Sequence, residues 1–348
     1  GRIYLMNVDH VNEHGSFYDP IKMSNLCQEI AISTKPVTLD GEGEIGLCTL
    51  GAINWGMINK PEDFEKPCRI LVRALNNLLD YQDYMHPAAK RHTMKYRPLG
   101  IGIINLAYFL AKRGLKYNED ALETVDEYAE AWSYYLIKTS VELAKEKGYR
   151  EDWYNKYSDG IFPIDTYKKD VDKLIKFKKR MPWDDLKNDA WNNGCLNTTL
   201  MACMPAESSA QLSNSTNGIE PPRALVSYKQ SKHGFLPQVV PGIYHLKNKY
   251  DLLWDQKTPE GYLKICAVLQ KYIAIEPDEE KLVVFPDREI PISQLIGDIL
   301  LAYKYGLKTL YYNNTNDDYN HDDVSQNEQT PEICAIDETE EQCESCVL

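Results

Sequence analysis

The stretch EDALETVDEYAEAWSYYLIKTSVELAKEK, residues 119–147, carries the clearest helical pattern in the chain. Apolar side chains recur at intervals of three and four residues, acidic residues fill the first turn, and Gly148 follows the last turn. These features predict one long amphipathic helix that packs against a core. Its apolar stripe consists of Leu122, Val125, Ala129, Trp132, Leu136 and Leu143.

Further helices and short extended segments follow on both sides of this helix. Cys68 and Cys266 fall on the apolar stripes of two predicted helices, so we expect both thiols in the core. Helices that alternate with short strands predict an α/β fold with parallel strands, and the polar run at 213–218 predicts a loop. The predicted helices span residues 61–84, 262–272 and 292–305, and the extended segments span residues 45–53, 196–204, 238–244 and 307–313.

Composition and charge exclude several classes of protein. The chain has 348 residues, of which 43% are hydrophobic and 26% are charged, as is typical of a folded enzyme. Its net charge is −13, but residues 313–348 hold 11 acidic side chains and no Lys or Arg, so the nearly neutral body lacks a basic surface for nucleic acid. Because no apolar run could span a membrane and the first residues do not resemble a signal peptide, we expect a cytoplasmic protein.

The acidic C-terminal segment differs from the rest of the chain. It has few apolar side chains to offset the entropy cost of ordering, so we predict a folded domain at residues 1–316 and a disordered tail at residues 317–348. The tail ends in CESC, residues 343–346, and no neighbouring Cys or His completes a recognised zinc spacing with it. This motif indicates either a flexible dithiol for thiol–disulfide exchange or two incidental thiols.

The run GIGIIN at residues 100–105 has part of the pattern of a dinucleotide-binding loop. The third glycine is missing, and no clear strand precedes the run. We therefore interpret the glycines as positions of close packing at the start of a helix.

Asn25, Cys27 and Glu29 occupy alternate positions in the sequence NLCQE. In an extended segment, alternate side chains project to one side, which would present an amide, a thiol and a carboxylate to one substrate. The residue types alone fit an exposed surface equally well. Cys48, within EIGLCTL at residues 44–50, fits a buried strand thiol.

Taken in order, the motifs closely resemble the catalytic large subunit of class I ribonucleotide reductase. The resemblance extends over nearly the whole chain and includes the terminal dithiol. The matching motifs are RIY at residues 2–4, NVDH at 7–10, NLCQE at 25–29, GLCTL at 46–50, NGIEPP at 217–222 and KTLYY at 308–312.

The resemblance implies an α/β fold, the C-terminal half of a ten-stranded α/β barrel, with a finger loop that carries the thiyl radical. Cys27 would take the 3′ hydrogen from a ribonucleotide, Asn25 would bind the sugar hydroxyls, and Glu29 would act as general base on the 3′ hydroxyl. Cys48 would be one member of a cysteine pair that is oxidised to a disulfide during the reduction.

The resemblance also implies roles for three further groups. Tyr311 and Tyr312 would relay the radical from a separate, metal-containing small subunit. Cys343 and Cys346 would reduce the active-site disulfide and be restored by thioredoxin or glutaredoxin, and the chain itself would bind no metal or cofactor. The substrate phosphates would bind to hydroxyls and backbone N–H groups at a helix start. This phosphate segment consists of Pro205, Ala206, Glu207, Ser208 and Ser209, with Ala206 in place of an expected hydroxyl residue.

The matched motifs belong to the second half of the family's large subunit, and no cysteine precedes Cys27 to pair with Cys48. We therefore expect a ribonucleoside-diphosphate reductase that is active only with a second chain carrying the first half, as in a bacteriophage split subunit. One alternative is a cobalamin-dependent reductase, which would not need Tyr311 and Tyr312. The other is a non-catalytic, partner-binding half-subunit. Residues 273–286 depart from the polar strand that the family leads us to expect there.

Overall fold

The computed structural model of the chain describes residues 4–148, 155–231, 234–273, 281–285, 291–310 and 312–315, in which helices alternate with short strands. The strands are β1 Leu5–Met6, β2 Thr49–Asn54, β3 Leu99–Ile104, β4 Val226–Ser231, β5 Gly234–Val239, β6 Lys281–Phe285, β7 Thr309–Leu310 and β8 Tyr312–Thr315. The α-helices are α1 Val8–Glu13, α2 Glu65–Tyr81, α3 Pro87–Tyr96, α4 Leu106–Arg113, α5 Leu122–Lys147, α6 Pro163–Thr166, α7 Trp183–Asn193, α8 Glu207–Leu212, α9 Ile243–Leu246, α10 Glu260–Gln270 and α11 Ile292–Lys304. The predicted tail lies outside the described residues, so the predicted domain boundary stays a prediction.

Helix α5 is the centre of the main core, and its prediction is confirmed. A 3-10 turn, Glu119–Ala121, precedes it, and Gly148 ends it with a positive φ of 79°. Helices α2, α7 and α10 pack against it, and the Trp132 ring lies 6.0 Å from the ring of Trp55. Cys68 and Cys266 are fully buried in this core, as expected from their apolar stripes.

Two buried carboxylates on α5 are held by cations from neighbouring segments. Asp126 accepts hydrogen bonds from Lys271 Nζ at 2.6 Å and from Arg180 at 2.9 Å. Glu130 accepts from Arg180 at 3.0 Å and from Trp183 Nε1 at 3.0 Å. Because an uncompensated charge in this position would be strongly destabilising, these contacts fix the segment before α7 and the end of α10 on α5.

Strand β3 lies at the middle of a parallel arrangement. It pairs with β2 from Thr49 opposite Leu99 to Asn54 opposite Ile104. On its other edge, the extended residues 199–202 exchange backbone hydrogen bonds with Leu99 and Ile101 at 2.8–3.2 Å. All residues of β3 are buried. The prediction of parallel strands is therefore confirmed at the centre of the molecule.

The interpretation of residues 100–105 as a helix start is wrong for the two glycines. Gly100 and Gly102 lie within β3, and the helix begins only after Asn105. A Cβ on Gly102 would lie 2.6 Å from the carbonyl oxygen of Ala202. The glycines are needed because β3 lies so close to its neighbours, and a buried strand without polar alternation gives no period-two signal.

The remaining strands form separate pairs. β1 pairs with β7 and β4 with β5, both antiparallel, whereas β6 pairs with β8 in parallel with a register shift. The extended prediction for residues 238–244 holds only to Val239, because α9 begins at Ile243. None of the helices in the described part of the chain has both the length and the apolar character that a membrane crossing requires.

Two glycine substitutions test this account of β3. Gly102→Ala places a methyl group against a backbone carbonyl, so we expect the free energy of unfolding to fall by about 1–3 kcal/mol. Gly297→Ala, in the open interior of α11, meets no atom within 4 Å and should raise it by about 0.5–1 kcal/mol. Denaturant titration of the full chain measures both. Equal stability of the two variants would contradict the close packing of β3.

Candidate active site

The finger segment, residues 25–29 with Asn25, Cys27 and Glu29, forms a turn. It is not the extended segment predicted from the alternate positions of these residues. Gln28 N donates to Asn25 O at 3.1 Å, and Gln28 has a positive φ of 64°. Leu26 at the tip is 62% exposed, whereas Cys27 is half-buried. The prediction failed because an isolated stretch of polar residues gives no sign of a left-handed residue at Gln28.

The amide of Asn25 closes this turn from within. Its Oδ1 accepts from Ile30 N at 3.0 Å, and its Nδ2 donates to Glu29 Oε2 at 2.5 Å. Ser24 Oγ donates to Ile30 O at 2.8 Å and strengthens the same closure. The turn thus brings the amide and the carboxylate together. Their contact results from the turn and not from the alternation of side chains along a strand.

Cys48 lies beside the finger segment. The residue is half-buried and directly precedes β2, so the interpretation as a buried strand thiol is wrong in placing it within the strand. A Cβ on Gly100 would lie 3.0 Å from its Sγ, which places the thiol over the bare backbone of β3. Cys48 also packs against a small apolar cluster that includes Ile30 and Ile32, the residues that follow the finger turn.

The titration behaviour of the two groups reflects this burial. Burial raises the pKa of the Cys48 thiol, and the negative charge of Glu29 raises it further. Burial also raises the pKa of the Glu29 carboxyl, and the hydrogen bond from Asn25 lowers it again in part. At neutral pH the arrangement therefore keeps Cys48 protonated and makes Glu29 a stronger base than an exposed carboxylate.

The predicted phosphate segment packs over both β2 and β3, since Ala206 clusters with Ile104 of β3 and Ala52 of β2. A Cβ on Gly102 would lie 2.5 Å from Met204 Sδ, just before the segment. Ala206 is buried and caps α8, while Ser208 and Ser209 are exposed. Ser209 Oγ donates to the Ala206 carbonyl at 2.7 Å. Cys48 and Met204, the residue before the segment, thus lie against two glycines on the same face of β3.

The predicted radical relay and the terminal dithiol are not part of this described geometry. Tyr311, the side chain of Tyr312, Cys343 and Cys346 lie outside the described residues. The backbone that leads to Tyr311 is described, and it is anchored near the N-terminus. Asn7 Nδ2 donates to Leu307 O at 2.7 Å, and Asn7 N donates to Lys308 O at 2.7 Å.

Some residues at the site had no role in the sequence analysis. Asn105 and Asn54 join the ends of β3 and β2 through a 2.9 Å hydrogen bond between their side chains. Asn217 hydrogen-bonds the phosphate segment at Ala206 N, 3.1 Å away. The NGIEPP motif contained Asn217, but a motif match assigns no contact, and only the fold shows what this residue touches.

Comparisons with known proteins agree with the motifs. A family model described as "Ribonucleotide reductase, barrel domain" matches residues 1–313. The ribonucleoside-diphosphate reductase subunit alpha of Haemophilus influenzae is 48% identical over 331 residues, which cover 91% of this chain and 43% of that protein. The subunit alpha of Enterobacteria phage T4 is 40% identical over 348 residues, 96% of this chain and 45% of that protein. The chain thus spans less than half the length of these curated relatives.

The proximity of Glu29 to Cys48 predicts a change in thiol reactivity. Glu29→Gln removes a negative charge that disfavours the thiolate, so the pKa of Cys48 should fall and its alkylation by iodoacetamide at pH 8.5 should become roughly threefold faster. Peptide mapping by mass spectrometry follows Cys48 separately from the other cysteines. Glu42→Gln, which removes an exposed carboxylate, is the matched control and should leave the rate unchanged. Equal rates in all three proteins would contradict the assigned contact.

Proposed function

The chain belongs to the ribonucleotide reductase barrel-domain family, and from this membership we propose that it forms the second half of a ribonucleoside-diphosphate reductase large subunit. The observation that carries the proposal is the position of Cys48 beside the turn that holds Cys27: the Cys48 thiol packs against the cluster of Ile30 and Ile32 and is affected by the charge of Glu29, which Asn25 hydrogen-bonds. The proposed reaction converts a ribonucleoside diphosphate and two thiols into a 2′-deoxyribonucleoside diphosphate, a disulfide and water.

Cys27 starts the proposed reaction as a thiyl radical that takes the 3′ hydrogen of the ribose. Its half-buried position in a closed turn supports this role, since a thiyl radical needs contact with substrate and shielding from other donors. Glu29 then accepts the proton of the 3′ hydroxyl as general base, and the 2′ hydroxyl leaves as water. Asn25 holds the sugar hydroxyls and keeps Glu29 in place through its amide.

Cys48 supplies one of the two reducing thiols in this proposal. Its raised pKa supports the role because a protonated thiol brings a hydrogen together with its electron. We place the second thiol in the part of the large subunit that lies outside the matched 43–45% of the curated relatives. After each turnover Cys343 and Cys346 reduce the resulting disulfide by thiol exchange and are restored by thioredoxin or glutaredoxin.

The radical and the substrate reach the site through other groups. Tyr311 and Tyr312 pass the radical from a metal-containing small subunit toward Cys27. The segment Pro205, Ala206, Glu207, Ser208 and Ser209 receives the substrate diphosphate. The exposure of Ser208 and Ser209 supports that assignment.

A second chain that carries the first half of the subunit completes the barrel. β2 pairs with β3 on one edge, and none of the described strands pairs with its other edge. Leu47, just before β2, is 41% exposed, and Leu50, within β2, is 40% exposed. An open strand edge with apolar side chains normally requires cover, which the missing half provides.

Co-expression with the chain that carries the first half tests the proposal. The complex, supplied with its radical-generating subunit and a dithiol reductant, should reduce cytidine diphosphate, and the present chain alone should not. Reduction by this chain alone, or no reduction by the complex, would contradict the proposed split.

Two cysteine substitutions in that complex separate the proposed roles. Cys27→Ser removes the hydrogen-abstracting sulfur and should abolish turnover entirely. Cys343→Ser should leave one round of reduction by prereduced enzyme intact and stop multiple turnover with thioredoxin. Quantifying deoxycytidine diphosphate per active site under both conditions measures the difference. Normal turnover of both variants with the physiological reductant is the result that would refute the roles.

A further inference from the structure

The loop at residues 213–218 and the motif that follows it have no role in the function proposed above. Two residues of this loop contact the phosphate segment: Ser213 donates to the Ser209 carbonyl at its end, and Asn217 contacts its start. Its Oδ1 accepts from Ala206 N at 3.1 Å, and its Nδ2 donates to Glu207 Oε1 at 3.2 Å and to Glu220 Oε1 at 2.7 Å. One carboxamide therefore holds a peptide group and two carboxylates.

The loop is anchored on the carboxyl ends of β2 and β3. Asn105 Oδ1 accepts from Thr216 N at 3.0 Å, and Asn105 Nδ2 donates to Asn54 Oδ1 at 2.9 Å. Asn54 Nδ2 in turn donates to Ser215 Oγ at 2.9 Å. Asn105 is buried and has a left-handed backbone with φ of 69°. A buried residue other than glycine keeps this conformation only where its surroundings enforce it.

Glu207 creates an electrostatic problem for the proposed substrate. It is the first residue of α8 and lies within the segment that receives the diphosphate, so its charge repels the ligand. Asn217 donates a hydrogen bond to this carboxylate and to Glu220 with the same amide nitrogen, which draws Glu207 toward Glu220. The Asn217 amide thereby fixes the orientation of the Glu207 carboxylate without placing a positive charge beside it.

We infer that Asn217 is a positioning residue for the substrate diphosphate. It orients the peptide at Ala206 and turns the Glu207 carboxylate away from the phosphate-binding face, and Asn105 anchors it to the two parallel strands. This inference rests on the proposed function, because it takes the diphosphate to bind at residues 205–209. It adds a residue that contacts the phosphate segment and not the substrate.

A double-mutant cycle in the two-chain complex tests the inference. Asn217→Ala should raise KM for cytidine diphosphate about tenfold and change kcat by less than about twofold, because the released Glu207 charge opposes binding alone. Glu207→Gln should restore KM in the Asn217→Ala background to within about threefold of the native value, and should change it less in the native background. Asn192→Ala, an exposed position near the end of α7, is the control and should behave as the native complex.

The alternative outcomes have separate meanings. If Asn217 serves only the fold, Asn217→Ala lowers the thermal unfolding midpoint of the complex, and Glu207→Gln does not restore KM. An unchanged KM in Asn217→Ala overturns the inference while the activity of the native complex upholds the proposed function. If the native complex does not turn over, equilibrium binding of cytidine diphosphate to the same four proteins decides, with the same pattern expected in Kd. Equal Kd values, or absent binding, would overturn the inference.

Discussion

The close approach of three backbone segments at β3 is the constraint on which the rest of the site depends. Gly100 lies under the Cys48 sulfur, and Gly102 lies under Met204, two residues further along the same strand. Since alternate residues of a strand share a face, Cys48 and Met204, the residue before the predicted phosphate segment, lie along one face of β3 with a fixed spacing. A side chain on either glycine would separate β3 from its neighbours and change that spacing. The whole strand is accordingly buried and packed from both sides.

The finger turn adds Cys27 to this framework. A turn whose closure depends on the Asn25 side chain links the position of Cys27 to that of Glu29, so the thiol and the carboxylate are positioned together. The left-handed Gln28 between them fixes the direction in which the chain leaves the turn. Ile30 and Ile32 then enter the apolar cluster against which Cys48 packs. Apolar packing behind the turn therefore determines where the sulfur and the carboxylate lie.

The helices could be predicted from the sequence because their apolar stripes repeat over several turns. The predicted helix at residues 262–272 corresponds to α10, Glu260–Gln270, and the one at 292–305 to α11, Ile292–Lys304. β3 could not be predicted, since its glycines and its burial on both faces remove the alternating pattern. The finger turn was missed because nothing local specifies a positive φ at Gln28. The candidate site was found through ordered motifs, and such motifs name residues without giving the contacts that Asn25, Asn105 and Asn217 make.

Two of these asparagines, Asn25 and Asn217, hold carboxylates through neutral amides. In the main core, Asp126 and Glu130 are held by Lys271 and Arg180, where the only requirement is to stabilise buried charge. A cation beside Glu29 would favour its ionised form strongly and weaken it as a base. Asn25 instead donates a single hydrogen bond, and the pKa of Glu29 stays above its usual value. By the same reasoning the Asn217 amide orients the Glu207 carboxylate without placing a positive charge beside it. Neutral donors thus fix carboxylates in position and leave their charge available for chemistry.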